Sequence, residues 1–168
     1  DRNCWNFMVN DAGLNLYLPM HYGGCFGIEP SYAFRSGMMS GNIIDRVVKA
    51  SVHDAKMTVD TYIQARPYFE GDYYPLFEHK ADETAWFGYQ LHRPDLQRGM
   101  LVVFRRRLCQ AEKTTVSLQG IDPSATYDLI DKDNGSRRRV KGAELQNLTI
   151  QAATPAPNSW ILFYKVSS

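Results

Sequence analysis

Apolar positions recur with two different periods along this chain, and each period predicts its own architecture. In the first part the longest pattern is helical: Ile44, Val47, Val48, Val52, Ala55, Val59, Tyr62 and Ile63 recur at spacings of three and four. That stripe predicts one long helix over residues 43–65, ended before Pro67, because the residue preceding a proline is pushed out of the helical region. Upstream, Leu14, Leu16 and Leu18 alternate at the start of LNLYLPMHY (residues 14–22), a strand pattern that Pro19 should end. The glycine-rich GGCFGIEP follows as a loop, and YAFRSGMM (residues 32–39) reads as a second short apolar run. Strand, loop, strand and long helix in that order suggest α/β architecture. Two strands and one helix do not close a parallel sheet by themselves.

Beyond residue 68 the period falls to two. TAWFGYQLH sets Trp86 against Phe87 and Tyr89, and MLVVFRR is a strongly apolar strand. TTVSLQG, TYDLIDKDNG, RRRVKGAEL, LTIQAAT and WILFYKV continue the series, separated by the turn sequences HRPDLQRG, GIDPSA and TPAPNS. Asp133-Asn134-Gly135 is a strong hairpin signal, since Asn-Gly tolerates positive φ. Six to eight antiparallel strands at this spacing predict a β-sandwich. The chain thus divides in the sequence into residues 1–68 and residues 69–168.

Its 168 residues suffice for one ordinary domain or two small ones, and 44% hydrophobic content is enough for a packed core. A formal net charge of +1 argues against nucleic acid as a partner. The runs Arg105-Arg106-Arg107 and Arg137-Arg138-Arg139 read as solvated strand ends rather than phosphate sites. Cys4, Cys25 and Cys109 fit no metal spacing, and their odd number fits a reducing, cytoplasmic compartment better than a disulfide framework. No apolar run approaches the ~18 residues of a membrane span, and the start DRNCWNF shows no signal-peptide pattern. It also lacks an initiating Met, so a processed product or a fragment is expected.

Five blocks, in order, carry a resemblance: GLNLYLPMHYGG, YAFRSGM, GDYYPLFEH, TAWFGYQLHRPDLQRGMLVVFRR and LQGIDPSATYDLIDKDNG. Together they resemble the C-terminal end of α-galactosidase-like glycoside hydrolases, the branch around glycoside hydrolase family 36 (melibiase). The resemblance implies the end of a (β/α)8 barrel over residues 1–68, followed by an antiparallel all-β sandwich over residues 69–168. Residues 14–22 and 32–38 would be the last barrel strands and 43–65 the outer helix. It further implies a parent activity of retaining α-galactoside hydrolysis without a cofactor. The partners implied are an α-galactoside in the complete enzyme, and either the rest of the barrel or a second copy of the chain.

Barrel chemistry sits at the C-terminal ends of strands, which singles out Pro19, His21, Tyr22, Glu29 and Arg35. Of these, His21, Tyr22, Glu29 and Arg35 are the candidate substrate contacts. His21 would bond a sugar hydroxyl or a loop carbonyl, Glu29 would orient substrate or stand solvated, and Tyr22 would stack on a sugar or pack. Arg35, inside an apolar run, calls for a carboxylate partner. No catalytic residue is assigned. The family's two aspartates would lie upstream of Leu14, and neither Asp1 nor Asp11 has a convincing strand-end setting. No metal site is expected from the scattered His21, His53, His79 and His92. A calcium loop from Asp131 would need a glutamate where Gly142 stands. The rival function is a carbohydrate-binding module stacking sugars on Trp86, Tyr89 and Trp160.

The aromatic stretch FEGDYYPLFE (residues 69–78) falls where the two periods meet. The expectation is a junction, with Phe69, Tyr73, Tyr74 and Phe77 packed between helix and sheet. Asp72 would accept a hydrogen bond from backbone or a tyrosine hydroxyl.

Overall fold

The computed structural model describes residues 8, 13, 15–17, 31–39, 51–78, 80 and 82–167. The chain forms two compact units, Asp1–Glu70 and Gly71–Ser168.

In the first unit, two expectations are corrected. The alternating leucines do not make a strand at residues 15–17, which form a turn closed by Leu16 N–H donating to Gly13 O, with Leu16 and Tyr17 exposed. The run over residues 32–38 is not a strand either: Ser31–Ser36 is a short helix, α1. A short apolar run does not by itself distinguish helix from strand. Here the Ser36 hydroxyl donates to Ala33 O, and the backbone tightens through Gly37 N–H to Phe34 O and Met38 N–H to Arg35 O.

The long helix is α2, Val52–Ala65; residues 43–50 lie outside the described residues. Its start is written locally. Ser51 is an extended N-cap whose hydroxyl oxygen accepts from Asp54 N–H at 3.0 Å, and Asp54 adds negative charge to the first turn. Pro67 lies in a short 3-10 turn, Arg66–Tyr68, that follows it. The face that α2 buries is not the predicted stripe: Thr61 and Ala65 are buried, whereas Val52, Val59 and Ile63 are exposed. Tyr62 packs against Phe34 at 6.3 Å and Phe69 at 5.7 Å between ring centroids, and its hydroxyl donates to Met39 O.

The second unit is antiparallel sheet throughout. Strands β1 (Asp72–Pro75), β2 (Trp86–Arg93), β3 (Arg98–Arg105), β8 (Asn158–Val166), β5 (Thr126–Asp131) and β6 (Arg137–Lys141) form one six-stranded sheet in that spatial order. β4 (Lys113–Val116) and β7 (Leu148–Gln151) form a two-stranded sheet. A four-residue helix, α3 (Gly142–Leu145), links β6 to β7.

Strand alternation decides what each face carries. On the inner face Trp86, Leu101, Val103, Tyr127, Leu129, Leu162 and Tyr164 meet Val116, Leu148 and Ile150 of the smaller sheet in one core. The opposite face is also apolar, with Phe87, Tyr89, Leu91, Met100, Val102, Phe104, Ile161 and Phe163 all buried. β2 and β3 therefore read as nearly continuous apolar runs rather than as simple alternations.

The stretch FEGDYYPLFE is more than a hinge, because Asp72–Pro75 is the edge strand β1, in register with β2 through Asp72 opposite His92 and Tyr74 opposite Gln90. Phe69 packs on Tyr62, Tyr73 stacks on Tyr89 at 5.6 Å, and Phe77 packs against the inner core.

Candidate functional site

His21, Tyr22 and Glu29 lie outside the described residues. Arg35 sits on α1 and is buried. The strongest polar constellation among the described residues lies elsewhere, at positions that the apolar pattern of β2 interrupts: Gln90 and His92 alternate with Leu91 on the inner face.

Gln90 is fully buried and its amide is used at both ends. Nε2 donates to the Tyr164 hydroxyl at 2.7 Å and to Gln119 O at 2.8 Å, and Oε1 accepts from Gln119 N–H at 2.8 Å. The Tyr164 hydroxyl also meets His92 Nδ1 at 2.9 Å, and it donates there when the imidazole carries its proton on Nε2. Burial pushes the His92 pKa below its ordinary value, against the opposing pull of the Asp72 and Asp95 charges. The ring stacks on Tyr164 with 12° between planes. A Cβ on Gly99 would overlap the Tyr164 hydroxyl, and one on Gly120, at φ 68°, would meet His92 Cδ2 at 2.7 Å. The cluster is a neutral, tightly enclosed lock joining β2, β8 and the loop around Gln119.

The carboxylates of this unit hold turns and strand ends. Asp82 is lowered in pKa first by the Thr84 hydroxyl, Asp95 by the Arg93 side chain, Asp122 by the Ser124 hydroxyl, and Asp128 by the Ser167 hydroxyl with Arg139 adding to it. Asp131 accepts from Asp133 N–H and Asn134 Nδ2 in the β5–β6 hairpin, where Gly135 takes φ 70°. DKDNG is thus a turn. A general acid in glycoside hydrolysis needs the opposite bias, a carboxyl whose pKa is raised.

Two of the predicted solvated arginines are buried instead. Arg105 donates to the carbonyls of Cys109, Gln110 and Thr154, and Arg106 to those of Ala85 and Lys80. Carbonyl oxygens satisfy a buried guanidinium fork well, which the sequence run did not reveal. Arg107 is exposed and pairs with Glu83. Arg137, Arg138 and Arg139 are exposed on β6 itself, not beyond its end.

The expected sugar platforms divide likewise. Trp86 and Tyr89 are buried and present no open ring face to solvent. Trp160 is partly exposed and stacks on Trp86 at 5.5 Å with 25° between planes. It lines a cavity of about 220 Å³ at the open side of the sandwich.

No protein-family model matches the sequence, and no curated relative does. Solved structures do match. The family 36 α-galactosidase AgaA of Geobacillus stearothermophilus, solved with raffinose, aligns over 98% of this chain at a TM-score of 0.76 and 17% identity. AgaB of the same organism aligns equally well. An α-galactosidase from Lactobacillus brevis covers 90% of the chain at a TM-score of 0.69 and 12% identity. This chain spans about a quarter of the length of each, and matches the C-terminal domain of such enzymes. At these identities the likeness is one of fold.

Proposed function

We propose that the chain is the C-terminal, supporting part of an α-galactosidase-like glycoside hydrolase. The observation that carries this reading is the fold match over 98% of the chain to α-galactosidases about four times longer. The five sequence blocks that resemble the same family, in the same order, support it independently. In this reading residues 1–68 complete a (β/α)8 barrel and residues 69–168 form the sandwich that braces the complete enzyme.

The parent reaction is retaining hydrolysis of α-galactosides, with no cofactor. It requires a nucleophile and an acid/base about 5–5.5 Å apart across the scissile bond, and both would be supplied upstream of Leu14. Asp82, Asp95, Asp122 and Asp128 are each engaged by a neighbouring hydroxyl or guanidinium at a turn or strand end, which supports a bracing role for the sandwich. His21, Tyr22 and Glu29 are proposed to contact sugar at the barrel rim, and Arg35 to hold that rim in place, its burial being the reason. AgaA has been solved with raffinose and with stachyose, and galactosides of that kind are the proposed substrates of the complete enzyme.

The test is incubation of the folded chain with an aryl α-galactoside. The reading predicts no release of the aryl group above a heat-inactivated blank; steady turnover would contradict it.

A further inference from the structure

The open side of the sandwich carries a trough that the bracing role does not use. Two cavities, about 220 and 420 Å³, share Arg138, Leu148 and Thr149, so they run together along β6, α3 and β7. β6 is an edge of the larger sheet, and β7 is paired only on its β4 side. We infer that this trough binds a neutral oligosaccharide, with one sugar ring against Trp160 and the chain continuing past Arg138.

Arg138 is the first reason. Val140, two residues on, is buried in the core, so alternation puts Arg138 on the same inward side of β6. An apolar residue would fit there, opposite Leu129. Instead a guanidinium stands exposed at the mouth of the trough, making no hydrogen bond or ion pair among the described residues.

The second reason is the chemistry of the walls. Trp160 is backed by the buried Trp86 ring, which fixes it as a platform with little freedom to lose on binding. Such a ring takes the apolar C–H face of a sugar while its polar edge is met elsewhere. Around it Arg138 offers donors, the Asp131 carboxylate acceptors, and Thr149 and Gln151 both. The lining carries one guanidinium, Arg138, against two carboxylates, Asp131 and Glu144, the latter tied to Lys141 N–H, which disfavours a carboxylate or phosphate and leaves an uncharged polyhydroxyl ligand as the better fit. The smaller cavity lies below the roughly 300–1,000 Å³ of drug-sized sites, a scale suited to one sugar ring, and the larger one extends it for a second. The assignment does not depend on the catalytic reading, since the trough lies wholly within the sandwich.

The experiment is amide chemical-shift mapping on the complete 168-residue chain during titration with raffinose, maltotriose and, as an anionic comparator, glucuronate. The expected result is millimolar binding of at least one neutral oligosaccharide, with shifts confined to residues 129–151 and 160–162. Trp160→Ala and Arg138→Ser should each weaken it about tenfold. Arg138 is exposed, so its variant should keep the wild-type unfolding midpoint even where the tryptophan variant does not fold. Three results overturn the inference: no shifts with either neutral sugar, tighter binding of glucuronate, or shifts that follow protein concentration alone. The last would mean that a second copy of the chain occupies the trough and that Arg138 guards a sheet edge.

Discussion

His92 Nδ1 lies 2.9 Å from the Tyr164 hydroxyl, deep in the sandwich and beside a glutamine amide that bonds the same oxygen. The geometry accommodates an uncharged imidazole. Protonation would place a charge on a buried ring, and that burial lowers the His92 pKa.

This gives a pH dependence with a definite sign. An unfolded histidine takes its proton near pH 6.5, whereas folded His92 takes it only at lower pH. Between the two values the unfolded state binds more protons, so stability is complete above about pH 6.5 and falls as pH drops through that window. The depressed aspartate pKa values lose their contribution at still lower pH, through a separate window. Urea unfolding as a function of pH should show the loss below about pH 6.5 in the wild type and a flatter profile in His92→Gln. Identical profiles would mean that His92 is not the titrating group.

Gly99 sits under the same tyrosine, and a Cβ there would also meet Leu91 O at 2.6 Å. Backbone on one side and a buried ring on the other leave little room to relax. Gly99→Ala should cost about 1–3 kcal/mol in chemical denaturation. A neutral effect would show that the β3–β8 contact is looser than its geometry.

Arg105 anchors two separate loop segments through three carbonyls. Removing the fork leaves buried acceptors without donors. Arg105→Met should destabilise by about 3 kcal/mol, and Arg105→Lys by a comparable amount, because an ammonium does not reproduce the planar fork. Equal stability of the lysine variant and the wild type would show that charge alone suffices.

Asp72 is exposed, and its one tyrosine partner, the Tyr74 hydroxyl, is 3.5 Å away. Burial first, and then the Asp72 charge, raise the Tyr74 pKa. Asp72→Ala should change stability by no more than about 0.5 kcal/mol, and the phenol of Tyr74 should titrate at lower pH in the variant. A destabilisation well above that would show that the Asp72 carboxylate holds the start of β1 in place.

The strands of the second unit were legible because β2, β3 and β8 are short apolar runs, β5 and β7 alternate, and the turns between them carry Pro, Gly and Asn-Gly. The first unit was not: residues 32–38 are too short for periodicity to separate helix from strand, and of the α2 stripe Val52, Val59 and Ile63 are exposed while Tyr62 packs inward. Buried polar positions were half legible. Gln90 and His92 interrupt an apolar strand, which marks them as paired, but their partner Tyr164 lies 72 residues from His92 and only the register of β2, β3 and β8 joins them. The first arginine run misled because sequence shows charge and not the carbonyls that Arg105 and Arg106 find, whereas Arg137, Arg138 and Arg139 are exposed as expected. The trough was invisible for a related reason: Arg138 on the edge strand β6 and Trp160 on the central strand β8 come together only across β5, which pairs with both.

If this chain braces a longer α-galactoside hydrolase, as proposed, the native polypeptide should show it. Antibody raised against the sandwich should capture, from the source cells, a polypeptide about four times the length of this chain. The captured protein should release galactose from raffinose, while the chain alone should release none. A captured polypeptide of the length of this chain, or a longer one inert toward α-galactosides, would contradict it.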